Sequence, residues 1–172
     1  MIGAYKGVAI PDYQPDYVSL SKYLKRFKVC DVFAEITLLT GRVIVRKVAT
    51  LRKDKVVLAS QGDIFGRIHV PLSMIMTVSE PVDRVDDDFP VTAEYVEPEG
   101  QRTEFLDFSR VLGSIRAAGQ RCAAELITGH TLHGTVVSYD HEHVLLGSFR
   151  HAAPTFISFS GLYSVHGYNQ AG

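Results

Sequence analysis

The chain has 172 residues, 46% hydrophobic and 22% charged, which fits one medium domain or two small ones and excludes disorder over most of its length. The net charge of −1 hides an asymmetry: residues 1–85 carry 13 Lys or Arg against 8 Asp or Glu, and residues 86–172 carry 5 against 11. No apolar run reaches the ~18 residues of a membrane span, and the opening residues lack the three regions of a signal peptide, so a cytoplasmic protein without a membrane segment is expected. Cys30 and Cys122 stand far apart with no second cysteine near either, which argues against a disulfide framework or a cysteine zinc knuckle and reads as two small apolar residues for the interior.

Along the chain, residues 1–18 carry Pro11 and Pro15 among Tyr5, Tyr13 and Tyr17 and read as an extended segment whose tyrosines pack on a neighbour. A first unit follows over residues 19–80. Leu20, Tyr23, Leu24 and Phe27 recur with the i, i+3, i+4, i+7 spacing of one helix face, leaving Lys22, Lys25, Arg26 and Lys28 to solvent. Short runs rich in Val, Ile and Thr come next, at 34–40, 43–51, 55–60, 65–70 and 74–79, broken at Gly41, Asp54, Gly62 and Pro71. Residues 81–105 form a linker with Pro81, Pro90, Pro98, Gly100 and the acidic run Asp86-Asp87-Asp88. Its stretch 91–96 alternates weakly, as a segment pairing with a sheet edge would. A second unit spans 106–167, with helix positions Phe108, Val111, Leu112 and Ile115 and strand runs 123–128, 131–139, 143–147, 155–159 and 162–166. Residues 168–172 are a tail.

The two units repeat one another. A gapless shift of 88 residues lays Leu38, Thr40 and Gly41 over Leu126, Thr128 and Gly129, and Val48, Val56, Leu58 and Ser60 over Val136, Val144, Leu146 and Ser148. The expected fold class is therefore mainly β with short helices, α+β by content. Each of two tandem units has an N-terminal α-helix followed by a strongly bent five-stranded antiparallel sheet or open barrel.

The candidate functional residues fall into three groups. Arg42, Arg46, Lys47, Arg52, Lys53 and Lys55 cluster on strands and turns of the first unit; they either attract phosphates or serve as a solvated rim and as partners for the acidic second unit. His130, His133, His141 and His143 form H-x2-H and H-x-H pairs. No carboxylate or thiol beyond Asp140 and Glu142 stands at a matching spacing, so base stacking or titration near neutral pH is favoured over a metal site. Gly41, Gly129, Gly134 and Asp140 read as architectural: reversals that use positive φ, a bend within a strand, and a turn that bonds its own backbone. No nucleophile elbow, phosphate loop or paired catalytic carboxylates are found outside the acidic linker run, so neither an enzyme nor a cofactor is expected.

The segment Thr128-Gly129-His130-Thr131-Leu132-His133-Gly134-Thr135-Val136-Val137-Ser138-Tyr139-Asp140, continuing to Val144-Leu145-Leu146, resembles the first motif of the Sm-like family, and within it the Hfq branch of bacterial RNA chaperones. The first unit keeps Gly41 but has Arg46 and Arg52 where the motif has its second glycine and its aspartate. The family's Tyr-Lys-His run has no counterpart near Val70-Pro71-Leu72 or Ser158-Phe159-Ser160, and its pore-loop pair falls at Lys53-Asp54 and His141-Glu142. The resemblance implies a ring built by edge-strand addition, here a homotrimer supplying six units, and single-stranded RNA as partner, contacted by the six cations and by His130, His133 and His141. The competing expectation is the same ring acting as a protein-interaction scaffold without RNA.

Overall fold

A computed structural model of the chain describes residues 19–60, 66–81, 103–104, 108–147 and 153–169. The expectations for residues 1–18 and 91–96 lie outside these residues. The first half runs α1 (Leu20–Cys30), β1 (Phe33–Leu38), β2 (Val43–Leu51), β3 (Lys55–Leu58), β4 (Ile68–Pro71), a single 3-10 turn (Leu72–Met74) and β5 (Ile75–Ser79). After the short β6 (Thr103–Glu104), the same series recurs as α2 (Phe108–Ala117), β7 (Arg121–Leu126), β8 (Thr131–Tyr139), β9 (His143–Gly147), β10 (Thr155–Ser158), a 3-10 turn (Phe159–Gly161) and β11 (Leu162–Tyr168).

The helices form where the apolar stripe demands them. Tyr23, Leu24 and Phe27 of α1, and Phe108, Leu112 and Ile115 of α2, are buried. Ser19 caps α1 by accepting from the Lys22 amide at 3.3 Å. At its other end Asp31 takes the left-handed conformation with φ 55°, and Gly119 takes it after α2 with φ 66°. The first and second halves match at a shift of 88 residues from the helix to the start of β3, and of 87 from β4 onward. The gapless 88-residue alignment is thus one residue out of step in its last third, because the stretch from the start of β9 to the start of β10 is one residue shorter than that from β3 to β4.

All strand pairs are antiparallel and form one open sheet in the order β4-β3-β2-β1-β5-β10-β9-β8-β7-β11-β6. β2 and β8 each carry a register shift at the same place, between Val48 and Thr50 and between Val136 and Ser138, which lets one long strand bend from one set of neighbours to the next. β11 runs to Tyr168, beyond the expected end of its strand run at 166. The pairing segment after residue 81 that the structure describes is β6, inside the stretch expected to be linker.

Two apolar cores result, and each borrows from the other half. The first holds Tyr23, Phe27, Ile36 and Val78 together with Leu145, Ala153 and Phe156. The second holds Leu112, Val144, Leu146 and Val165 together with Met76, and Leu39 packs against it. The seam is polar as well as apolar: Glu80, 1% exposed, accepts from the Ala153 amide at 2.9 Å, and the Tyr23 hydroxyl donates to the Pro154 carbonyl.

Candidate functional site

The turn from β2 to β3 and the outer strand β4 enclose a groove of about 460 Å3. Thr50 and Arg52 enter it from the end of β2, and Lys53 and Asp54 from the turn. Lys55 and Val57 enter from β3, and Arg67 and His69 from β4 and the residue before it. Strand geometry explains the convergence: Lys55 and Val57 are two apart and share a face, and Val57 lies opposite His69. Four cationic side chains and the Asp54 carboxylate thus line one groove at the edge of the sheet. Lys55 Nζ lies 3.1 Å from His69 Nδ1, close enough for a hydrogen bond across the β3–β4 pair. Arg52, Lys53 and Arg67 are exposed, which leaves their charge available to an anion, and the His69 ring is exposed beside them.

Of the six cations singled out from sequence, the structure brings Arg52, Lys53 and Lys55 together and separates the other three. Arg42 sits at the opposite end of the nine-residue β2, beside the Gly41 turn. Arg46 is held by the protein itself, its Nη1 donating to the carbonyls of Ala59 at 3.2 Å and Gly66 at 3.0 Å. Lys47 pairs with Asp31 at 3.4 Å and covers the Phe33 ring. One cation cluster in the sequence is therefore four separate environments, because a strand alternates its faces and β2 is long.

The histidines do not converge either. His130 is exposed and shares a hydrogen bond with Thr128 at 3.2 Å. His133 meets the Tyr168 hydroxyl at 2.9 Å, and its pKa is lowered by burial and by the nearby Arg121 charge. His141 is exposed at the β8–β9 turn. His143 is buried, stacked on Phe156 with centroids 4.6 Å apart, and its Nδ1 lies 3.0 Å from Asp140. His166 is buried, and burial lowers its pKa. Among the described residues no three His, Cys, Asp or Glu side chains gather as a metal-binding set. Burial pushes the Cys122 thiol up to about 12, so it is a packed apolar group at neutral pH; Cys30 is half-buried.

Gly41 and Gly129 both have φ 91° in the β1–β2 and β7–β8 turns. A Cβ on Gly134 would lie 2.1 Å from the Gly147 carbonyl oxygen, so β8 and β9 approach at a distance only glycine permits. Asp140 Oδ1 accepts from the amides of Glu142 at 2.7 Å and His143 at 2.9 Å, closing its own turn.

Sequence reasoning missed Arg67 and His69. Their alternation around Ile68 marks two residues on one side of a strand, but the β3–β4 register that carries them to Lys55 is not visible in either strand alone. Among the described residues, the positions that form the groove are filled differently in the second half. There Ser138, Asp140, His143, Leu145 and Phe156 occupy the corresponding positions, and Leu145 and Phe156 are packed into the first core beneath Tyr23. Comparison with protein-family models, curated proteins and solved structures finds no match to this chain.

Proposed function

We propose that this chain is a tandem Sm-like protein, a binding protein rather than an enzyme, that takes single-stranded RNA in the cationic groove at the β2–β3 turn and assembles through its sheet edges. The observation that carries the RNA reading is the groove itself, lined by Arg52, Lys53, Lys55 and Arg67 together with Asp54 and His69. Such a surface suits a phosphate backbone, held at the turn end of the groove by Arg52 and Lys53. Lys53 and Asp54 also stand where the family resemblance expects its pore-loop pair.

The assembly reading draws support from the inner seam. β5, the last strand of the first half, adds to β10, the fourth strand of the second, as subunits of an edge-built ring would add to one another. Three chains joined through their outer strands make six units with alternating basic and acidic halves.

Fluorescence anisotropy with labelled oligo-U and oligo-A tests the RNA reading. An Arg52→Ala, Lys53→Ala variant is expected to bind at least tenfold more weakly at moderate salt. Its plot of log affinity against log salt should be shallower by about 1.4, from two lost phosphate contacts at ~0.7 each. Arg42→Ala, at the far end of β2, should bind like the unaltered protein. Equal binding by the double variant would overturn the site, and an assembled protein that binds neither oligomer would favour the scaffold reading.

A further inference from the structure

The inner seam prescribes the register that an outer seam between two chains would have. In it Val78 lies opposite Phe156 and Thr77 opposite Ile157. Carrying those pairs over by the 87-residue shift of the last strands sets Val165 of one copy opposite His69 of another, and Ser164 opposite Val70. Within a single chain both seats are taken. Val165 lies opposite Thr103 and Ser164 opposite Glu104, in the same antiparallel sense and in the same order.

We propose that β6 is a built-in cap on the assembly edge: it occupies the seat on β11 where β4 of a second copy of this chain would pair, and assembly proceeds by its release. The inference rests on the ring reading above and adds its regulation. Two features make a two-residue strand an effective competitor. The cap is part of the same chain, so its effective concentration at β11 is of the order of millimolar without any partner. The outer seam is also poorer in side chains than the inner one. Where the inner seam has Tyr23, Phe156 and the Glu80–Ala153 hydrogen bond, the corresponding positions of an outer seam are Val111, His69, Gly167 and Gly66. The incoming copy brings the same two backbone pairs as the cap and little extra apolar burial, so the contest is close enough to be tipped. Seating it lays Val111 over His69 and leaves the turn end of the groove, with Arg52 and Lys53, open to ligand.

Light scattering across a concentration series tests this on the full chain. A Thr103→Pro, Glu104→Pro variant loses both cap amides. Its shift from one-chain to three-chain mass is expected at a concentration at least tenfold lower than for the unaltered protein, with the circular dichroism spectrum unchanged. A Thr103→Cys, Val165→Cys pair, directly cross-strand, should hold the oxidised protein at one-chain mass and release it on reduction. Three-chain particles forming at the same concentration in the unaltered and proline proteins, or in the oxidised pair, would overturn the cap while leaving the ring standing. One-chain mass for every variant at every concentration would overturn the ring reading and the cap together.

Discussion

At the scale of single residues, burial decides which histidines matter to stability. His133 and His166 both have pKa values below the ordinary one, by desolvation and for His133 also by Arg121. In the unfolded chain each titrates near ~6.5. Between that value and the lower folded one, the unfolded state binds protons that the folded state does not, so stability rises with pH through this window and falls as pH drops through it. Thermal melts between pH 8 and pH 5.5, above the range where carboxylates titrate, should show a progressive loss of midpoint temperature below about pH 7. His133→Gln should flatten that slope; an unchanged slope would assign the pH dependence elsewhere. Gly134 illustrates the opposite kind of control, in which a single missing Cβ lets β8 and β9 approach and bend.

At the scale of elements, the two halves offer an internal comparison of helix endings. Asp31 and Gly119 stand at corresponding positions, each left-handed, each donating its amide to the carbonyl three residues back. Only glycine adopts that conformation without a Cβ penalty, and the Asp31–Lys47 pair is too exposed to offset it fully. Asp31→Gly is therefore expected to stabilise the protein by about 0.5–1 kcal/mol, measured by urea unfolding; a loss of stability would mean the ion pair outweighs the backbone. The helices, the turn glycines and the long strands β2 and β8 were legible from periodicity, because an amphipathic stripe and a turn residue are local signals. The candidate site was legible only in part. Arg52, Lys53 and Lys55 lie together along the chain, whereas Arg67 and His69 join them through the β3–β4 register, and Arg46 leaves the set because carbonyls of Ala59 and Gly66 hold it.

At the scale of the whole molecule, the cores bind the halves into one cooperative unit. Leu145, Ala153 and Phe156 complete the first core, and Met76 completes the second. Heating is expected to give a single calorimetric transition, and Phe156→Ala should shift that whole transition by a loss of about 3–5 kcal/mol. Two separate transitions, with only one of them moved by the substitution, would contradict the shared core. The same seam explains why, among the described residues, positions that line the groove in the first half are filled in the second. In the second half Phe156 fills the corresponding position and is covered by Tyr23, whereas β4 of the first half is an outer strand of the sheet.

What the amino-acid sequence determined by itself is the repeated series of one helix and five strands, the positions of the turns, and the opposite charge of the two halves. Each is written in neighbouring residues: a 3.6-residue stripe, a glycine at a reversal, a count of charges. Tertiary structure alone decided that β5 joins β10, that β6 sits on β11, and that Arg67 and His69 join Arg52, Lys53 and Lys55 in one groove. Strand edges recognise one another through backbone N–H and C=O groups that every residue carries, so the choice of partner strand is made by long-range packing of residues such as Tyr23, Glu80 and Phe156, far apart in the chain and adjacent only once it has folded.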